Sequence, residues 1–404
     1  MDKISFKWHS SIDEISESNW LNVLGEAKNI PFYQFEWLSS LEKSKSVCNK
    51  SGWQPIHLSL WRDNYCIALA PLYLKAHSFG EFIFDQIFVK LSVELGLNYY
   101  PKIIGMSPFS PIEGYRFFIA PEENESAITS VILDKIDQFA LNNNILSCNF
   151  LYVDHEWSRI VEGNGYLKWL NKQSIWEKGE AKNFEDYLAT FNSNQRKNIK
   201  KERKLVKDSG FSIKRITGSE INEGIMQEMH DLYRNHCNQW GVWGSKYLSK
   251  DFFSMIANSK MKENIILFSA QHKDSNENLA MSMCIKSKDM LWGRYWGSKE
   301  KISYLHFEVC YYSPISWSLE EGISYFDPGA GGSHKQRRGF QGKSNISLHK
   351  WHNPKMYELI KPWLKKVNNL MIEEINATNK ELPLKIELPS LILPEKENEA
   401  KHQQ

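Results

Sequence analysis

The most informative stretch of the 404-residue chain lies between residues 292 and 340, and it contains WGRYWG (292–297), HFEVCYY (306–312) and GISYFDPGAGGSHKQRRGF (322–340). The first piece belongs to a predicted strand over 290–296, and the second begins a predicted helix over 306–319. A short strand over 323–326 follows, and the glycines after Asp327 allow backbone N–H groups to approach a ligand closely. Because open sheets bind ligands beyond the carboxyl ends of their strands, we expect a site at this loop.

The side chains around this loop suit acyl or phosphoryl transfer. Asp327 ends the strand, and His334, Lys335, Arg337 and Arg338 follow the glycines at once. An acidic group, an imidazole and three cations in one loop provide a base and stabilisation of developing negative charge. The plain alternative is a glycine-rich turn followed by a solvated basic loop.

The order of predicted elements is similar in the two halves of the chain. Each half gives a strand, helices, a run of strands, a helix and a strand, which is typical of a mixed sheet with helices on both faces. We therefore predict an α/β fold of two tandem domains. The predicted bounds are 1–165 for the first domain, 166–376 for the second domain with the active cleft, and 377–404 for a polar tail.

Composition excludes several classes of protein. The chain is 42% hydrophobic and 24% charged, which excludes disorder and low complexity as its main character. A net charge of +2 gives no global indication of a nucleic-acid, membrane or acidic partner. The first residues lack a signal-peptide pattern, no apolar stretch is long enough to span a membrane, and the six cysteines are scattered singly. We expect a cytoplasmic protein with reduced thiols, no metal site and large aromatic cores.

Residues 306–340 closely resemble the FemAB-like family of acyltransferases, which has a doubled GNAT fold. The family's typical run is H-F-E-x-C-Y-Y, then F-x-x-G-A-x-G, then H-K-x-x-R-G-F, and Gly331 stands where a Gln is usual. Further matches lie at 52–55, 70–75, 77–81, 99–102, 196–199 and 292–297, so the resemblance covers about residues 15 to 355. It implies two GNAT-like domains and acyl transfer to an amine, in a cleft where two neighbouring strands splay apart.

Residue chemistry and position suggest roles for the residues of the second half. Glu308 or Asp327 would accept the amine's proton, with His334 as the competing base. Lys335 would stabilise the oxyanion or a phosphate. The full set of candidate catalytic residues is Tyr295, Glu308, Asp327, His334, Lys335 and Arg338, with Tyr295 protonating a leaving group and Arg338 acting beside Lys335. The expected substrate contacts in this half are Arg294, Gly329, Gly331 and Gly332.

The acyl donor is either aminoacyl-tRNA or acyl-CoA. GNAT enzymes that use CoA carry a glycine-rich loop whose N–H groups hold the pyrophosphate. Neither candidate loop here, 297–303 or 107–114, has that pattern, and prolines remove donors from the second. Fem ligases take an amino acid from aminoacyl-tRNA, which fits the missing loop. A CoA-dependent N-acetyltransferase with an atypical loop and a non-catalytic binding protein that recognises a glycan, peptide or RNA stay open as alternatives.

A basic helix predicted from Ser193 or Asn194 to Asp208 bears on the choice of donor. Its cationic face suits phosphates of RNA or of another anionic substrate, and the alternative is a solvated surface helix. The candidate contacts are Arg196, Lys197, Lys200, Lys201, Arg203 and Lys204.

The first half offers a second group of candidate substrate contacts. Lys75, His77 and Lys102 would meet an anionic group, and Tyr99 and Tyr100 would form an aromatic wall of the cleft. Because adjacent tyrosines commonly pack in a core, we expect at least one of the two to be buried there.

Overall fold

The computed structural model describes residues 4–391, apart from residues 80, 81, 240, 242, 243, 245, 276, 387, 389 and 390. Residues 392–404 of the predicted polar tail, and the Gly80-Glu81 pair of the motif at 77–81, lie outside the described residues. The described chain has the predicted α/β fold.

The strands form one sheet of four and one of eleven. In strand order, the smaller sheet is β1-β3-β4-β7, and the larger is β10-β11-β12-β13-β14-β9-β15-β8-β6-β5-β2. Their bounds are β1 (Ile4–His9), β2 (Trp53–Pro55), β3 (His57–Arg62), β4 (Tyr65–Ala70), β5 (Tyr73–Lys75), β6 (Lys102–Gly105), β7 (Phe118–Ile119), β8 (Ser147–Phe150), β9 (Leu167–Glu177), β10 (Phe211–Thr217), β11 (Ile265–His272), β12 (Asn278–Lys286), β13 (Met290–Ser298), β14 (Tyr325–Asp327) and β15 (Gln341–Trp351). The strands of the two halves thus meet in one continuous sheet.

Helices pack against these sheets, with α8 on β13 and α12 across β9 and β15. The helix bounds are α1 (Glu17–Val23), α2 (Phe35–Lys43), α3 (Gln86–Glu94), α4 (Glu125–Asn142), α5 (His155–Glu162), α6 (Phe184–Ala189), α7 (Ser193–Asp208), α8 (Glu223–Asn238), α9 (Lys250–Ala257), α10 (Leu305–Phe307), α11 (Ser313–Glu321) and α12 (Pro354–Lys380). A π-helical turn, Glu308–Tyr312, joins α10 to α11. Because α12 ends at Lys380, the first residues of the predicted tail are helical.

Two helices begin at caps other than those the sequence suggests. The side chain of Asn192, rather than that of Ser193 or Asn194, caps α7 by accepting a hydrogen bond from the Gln195 N–H. Asn222 likewise caps α8 through the Ile225 N–H. Serine is also a common cap residue, but Ser219 lies in a short 3₁₀ turn before the helix. Each asparagine has the extended backbone that a cap requires, so its side-chain oxygen reaches a free helical N–H.

The long strands β9 and β15 join the halves of the large sheet. They pair antiparallel over nine residues, from Gln341↔Ile175 to His349↔Leu167, and place Asn345 opposite Asn171. On its other edge β15 pairs with β8 of the first half. The sequence pattern predicts neither strand, because both carry amides, hydroxyls and lysines where alternation of apolar residues would mark a strand.

The strands β13 and β14 diverge at the centre of the second half. They are parallel and pair only from Met290↔Tyr325 to Trp292↔Asp327, while β13 runs on to Ser298. A bulge lies between Gly293 and Tyr295, where the register with β12 shifts. A bulge re-aims side chains and often adjoins a functional site. The pairing of the two strands thus stops at Trp292 and Asp327, where a cleft formed by splayed strands is expected from the resemblance.

Aromatic side chains fill the core, as the composition predicts. Trp20, Trp37, Trp53 and Trp157 are fully buried, and edge-to-face contacts link many of the rings. No helix in the described part of the chain is both long and apolar enough to cross a membrane.

Candidate functional site

A cleft of about 850 Å³ opens where β13 leaves β14. Its walls are β13, the loop 328–332, α8, the π-helical turn and short segments of the first half. The predicted contacts Gly329, Gly331 and Gly332 lie on its rim. The side chains with hydroxyl, imidazole or cationic groups on its walls are Tyr233, His236, Tyr247, Ser282, Arg294, Tyr295, His306, Tyr311, His334 and Lys335.

Arg294, on the cleft wall, forms a buried ion pair with Asp327, which lies outside the cleft lining. Their Nη2 and Oδ2 atoms are 3.0 Å apart. Gln173 Nε2 donates to the same Oδ2 at 2.9 Å, and the Gly329 N–H donates to Oδ1 at 2.7 Å. Both carboxylate oxygens are therefore engaged, and Asp327 fixes the start of the glycine loop.

Lys335 is buried in the wall of the cleft, with only 2% of its surface exposed. Its Nζ donates a hydrogen bond of 2.5 Å to the carbonyl oxygen of Gly329. Burial lowers the pKa of the Lys335 ammonium to about 8, and the Asp327 carboxylate counteracts part of that effect. The side chain thus provides a desolvated cation near neutral pH.

His334 faces the same cleft, one residue before Lys335. Its Nε2 is 2.9 Å from the Tyr311 hydroxyl, and its ring packs over Gly332. Burial lowers the pKa of His334 to about 4, and the nearby Lys335 and Arg338 cations add to this effect. The imidazole is therefore neutral at pH 7.

Tyr295 is almost fully buried, and it lines the cleft from β13. Its ring makes an edge contact with Tyr233 at 5.5 Å and another with Phe253 at 6.2 Å. Burial raises the pKa of the Tyr295 phenol, so it is protonated at neutral pH. The hydroxyl can donate a proton but not serve as a phenolate.

Glu308 and Arg338 lie outside the lining of the cleft, each in an ion pair. Arg203 on α7 donates to both oxygens of Glu308 at 3.0 and 3.1 Å. Arg338 pairs with Glu202 at 2.7 Å, and it donates to the His334 carbonyl at 2.8 Å. These contacts hold α7, the π-helical turn and the backbone of the loop together.

The first-half candidates do not join the second-half set. Lys75 is fully buried, where its Nζ donates to the Gly52 carbonyl at 3.1 Å and lies over Trp53. Lys102 is also buried and pairs with Asp85. Asp85 thus neutralises Lys102, and the Gly52 carbonyl accepts a hydrogen bond from Lys75 within the fold.

One of the two adjacent tyrosines of the first half is buried, as expected. Tyr99 is buried and donates to Asp85 at 2.8 Å, whereas Tyr100 is half-buried with its ring edge-on to Tyr99. His77 stacks on the exposed ring of Phe79. None of these three side chains lines the cleft of about 850 Å³.

The basic helix α7 presents most of its lysines to solvent. Lys197, Lys201 and Lys204 are exposed, and Lys200 is exposed and paired with Glu185 at 3.1 Å. Arg196 is half-buried, as is Arg203. A pocket of about 520 Å³ between α7 and residues 333–338 includes Lys201, Arg337, Arg338 and His334. Two exposed cations, Lys201 and Arg337, thus lie between α7 and His334, while Arg338 is buried and paired with Glu202 of the same pocket.

The two loops considered for pyrophosphate binding have other uses. A Cβ on Gly297 would lie 2.0 Å from the Leu232 carbonyl, so this glycine allows α8 to pack closely on β13. In the first-half loop, the N–H groups of Ser110 and Ile112 are bonded to carbonyls of the same loop. Neither loop has the glycine pattern of a pyrophosphate-binding loop.

Sequence reasoning missed several residues of the site. His306 and Tyr311 belong to the motif, and the π-helical turn brings their rings within 5.3 Å of each other on the cleft wall. Their spacing of five residues is the signal, because a π turn places residues i and i+5 together. Gln173, which holds Asp327, lies on unpredicted β9 and carries no such signal.

A second cavity, of about 430 Å³, shares the loop 329–332 with the cleft. Phe82, Phe84 and Pro111 also line both spaces. Most of its polar lining comes from β9 and β15 and lies outside the predicted site.

The model of the FemAB-like family, described as peptidoglycan biosynthesis/recognition, matches residues 11–386. The chain is also similar in structure to the C-terminal domain of a candidate lysylphosphatidylglycerol synthetase from Agrobacterium fabrum: 8% identity, 88% of this chain and 97% of that chain covered, TM-score 0.52. The chain is also similar in structure to a conserved protein of unknown function from Bacteroides thetaiotaomicron: 10% identity, 86% of this chain and 99% of that chain covered, TM-score 0.50. The structure of FemX has 11% identity, 81% and 93% coverage and a TM-score of 0.49. No curated protein matches the chain in sequence.

Proposed function

The chain belongs to the FemAB-like family, and on that premise we propose that it transfers an aminoacyl group from aminoacyl-tRNA to an amine in the cleft between β13 and β14. At the coarser level, it is an acyl- or aminoacyltransferase with the doubled GNAT fold. The observation that carries the proposal is the pairing of a buried cation, Lys335, with a neutral imidazole, His334, on the wall of one cleft.

Lys335 and His334 have different roles in the proposed acyl transfer. The amine nitrogen attacks the carbonyl carbon of the aminoacyl ester, and negative charge develops on the carbonyl oxygen. A desolvated cation stabilises such an oxyanion far better than a solvated one, which is the role of Lys335. The carbon–oxygen bond to the ribose then breaks and leaves the new amide.

His334 is the proton acceptor in this proposal, because the competing carboxylates are committed elsewhere. Asp327 accepts from Arg294, Gln173 and the Gly329 N–H, and Glu308 accepts from Nε and Nη2 of Arg203. In the tautomer whose Nε2–H donates to the Tyr311 oxygen, Nδ1 of His334 is unprotonated, and no described residue is bonded to it, so it can take the proton from the attacking nitrogen. A weak base suffices, since that nitrogen becomes acidic once it has bonded to the carbonyl carbon.

Tyr295 completes the proton balance. Its phenol gives a proton to the leaving ribose oxygen as the carbon–oxygen bond breaks. The proton that His334 accepted then returns to the phenol through solvent, so both groups end in their starting forms. Arg338 is a positioning residue, because it acts on His334 through the backbone carbonyl and through its pair with Glu202.

Two features support tRNA over CoA as the donor. The candidate pyrophosphate loops lack the glycine pattern that CoA-binding loops carry, and exposed cations of α7 and the loop, Lys201 and Arg337, line a pocket that reaches His334. Contacts with phosphates make binding strongly salt-dependent. The exposed lysines of α7 would hold the acceptor arm while its ester enters the cleft.

The test is unfolding stability in the presence of charged tRNA, uncharged tRNA, acetyl-CoA and longer acyl-CoAs. A ligand at 100 times its Kd adds about 2.7 kcal/mol to the free energy of unfolding. We expect stabilisation by tRNA that weakens as salt rises, and none by CoA compounds. Stabilisation by acyl-CoA alone would contradict the choice of donor and favour a CoA-dependent acetyltransferase.

A further inference from the structure

The cavity of about 430 Å³ on the other side of the loop 329–332 is built mainly from the unpredicted strands β9 and β15. The lining residues from these two strands are Trp169, Asn171, Lys172, Gln173 and Ser174 of β9 and Gly342, Asn345, Ser347 and His349 of β15. Its volume falls within the usual range for small-molecule sites, which is roughly 300–1,000 Å³. The size suits one or two sugar rings or a short peptide.

Several polar groups on the walls are available to a ligand. The side chains of Asn171, Ser174 and Gln336 line the cavity and make no hydrogen bond to any side chain or backbone group in the described part of the protein. Asn345 is 3% exposed and uses its amide nitrogen toward Gln173, with no described partner for its carbonyl oxygen. Amides and hydroxyls offer both donors and acceptors, as the hydroxyl groups of a ligand require.

The lining carries no unbalanced charge among its described residues. Asp85 and Lys102 pair with each other, and Lys172 pairs with Glu374. Burial lowers the pKa of His349 to about 3, so the ring is neutral and bonded to Asn149 and Ser347. A neutral lining disfavours charged ligands, since a buried unpaired charge is costly.

Aromatic rings form the apolar part of the wall. Trp169 is held by edge contact with Phe88 at 5.1 Å and by Trp363 at 6.2 Å. Tyr152 donates to the Phe82 carbonyl at 2.8 Å and so ties the segment that carries Phe84 to the cavity. A fixed indole beside amide groups matches a sugar, whose ring has apolar C–H faces and a polar edge.

We infer that this cavity binds a neutral sugar ring of the acceptor substrate, whose amine reaches over the glycine loop into the cleft. The inference rests on the proposed function for the direction of transfer, while sugar binding itself can be measured without turnover. The shared lining at 329–332 allows one molecule to occupy both spaces.

A chain of hydrogen bonds links the two spaces. Asn345 donates to Gln173 at 2.9 Å, and Gln173 donates to Asp327 at 2.9 Å. Asp327 in turn accepts from Gly329 N–H and from Arg294 in the cleft. A sugar hydroxyl that bonds to Asn345 is therefore linked through Gln173 to Asp327, the residue that holds the start of the glycine loop.

The test is titration of the protein with methyl glucoside, methyl N-acetylglucosaminide and N-acetylalanine amide. Calorimetry and ligand-observed NMR measure the binding. We expect saturable binding of at least one glycoside. Asn171→Ala and Gln336→Ala should each weaken it by about three- to tenfold, the worth of a neutral hydrogen bond. Because neither side chain is bonded within the described protein, these variants should fold normally. Gln138→Ala, on the exposed face of α4, is the matched control and should bind as the unaltered protein does.

Three outcomes would overturn the inference: no glycoside binds, the two variants bind glycoside as well as the control, or only the amide binds. The proposed function is tested separately by Lys335→Met. That variant should bind the glycoside normally, so loss of turnover with intact sugar binding concerns the cleft alone. Turnover of an amine without any sugar binding would sustain the proposed function and contradict the sugar site.

Discussion

Lys335 and His334 are adjacent in sequence, and burial lowers the pKa of both but leaves them in different charge states at pH 7. Burial disfavours the charged form of both groups, since a low-dielectric environment solvates charge poorly. His334, with its pKa lowered to about 4, is neutral at pH 7, whereas Lys335, with its pKa lowered to about 8, is still largely charged. A proton acceptor and a cation therefore coexist in one cleft at the same pH.

The pH dependence of turnover should report the charge on Lys335. Only the ammonium form stabilises an oxyanion, so kcat should fall about tenfold per pH unit above a pKa of about 8. Lys335→Arg keeps its charge and should lose this descending limb. The measurement is kcat against pH with saturating substrates. An identical descending limb in both proteins would assign it to another group.

At the residue scale, sequence identified the chemical groups of the cleft but not their partners. Glu308 is paired with Arg203, 105 residues away, and Asp327 with Arg294, 33 residues away. Such pairs depend on which elements pack together. Sequence therefore left three candidate bases, and the structure supports His334 as the one that faces the cleft without an ion-pair partner among the described residues.

Among the elements, the glycine loop 329–332 should tolerate substitution unequally. Gly331 and Gly332 both have positive φ, +71° and +84°, so alanine costs backbone energy at either position. A Cβ at Gly332 would lie 2.5 Å from the His334 ring, while one at Gly331 meets nothing within 4 Å. We expect Gly332→Ala to lower kcat at least tenfold more than Gly331→Ala, with similar losses of stability. Equal kcat values would show that the position of His334 is unimportant.

The π-helical turn is held to α7 by Glu308, which gives that residue a structural part. Glu308→Gln should lower the free energy of unfolding by about 1–3 kcal/mol, because it weakens a buried charged hydrogen-bond pair. Glu320→Gln is the control, since Glu320 pairs with Arg215 at the surface and should cost less than about 1 kcal/mol. Urea unfolding measures both. The folded Glu308→Gln protein should keep its kcat, and a large loss of kcat with unchanged stability would make Glu308 catalytic.

For the whole molecule, the sequence predicts the apolar strands well and misses the polar ones. The predicted strand 290–296 lies within β13, and the predicted basic helix that ends at Asp208 matches α7. β9 and β15 escape prediction because their inward faces line the cavity of about 430 Å³ with amides rather than packing in an apolar core. The division into domains at 165 and 376 remains a prediction, with the sheet of the first half extended by β15.

The cationic face of α7 should determine how salt affects tRNA binding. Lys197, Lys201 and Lys204 replaced together by Gln should weaken binding and reduce the slope of log K against log salt by about 2–3. The control is Gln at the exposed α12 residues Lys361, Lys365 and Lys366, which removes the same charge. Filter binding at several salt concentrations measures both. Equal slopes would remove α7 from the interface.

The most direct test of the account is transfer itself, followed by mass spectrometry. Aminoacyl-tRNA with a labelled amino acid is mixed with amine acceptors that carry sugars, and the product is sought with the unaltered protein, Lys335→Met and Gln138→Ala. The pKa of Lys335 in the folded protein lies below its ordinary value, which means that the charged side chain lowers the free energy of unfolding at pH 7. Because Met removes this buried charge, Lys335→Met should fold normally. The account predicts an acceptor heavier by one aminoacyl group, formed equally by Gln138→Ala and at least about 100-fold more slowly by Lys335→Met. Undiminished transfer by Lys335→Met would contradict it.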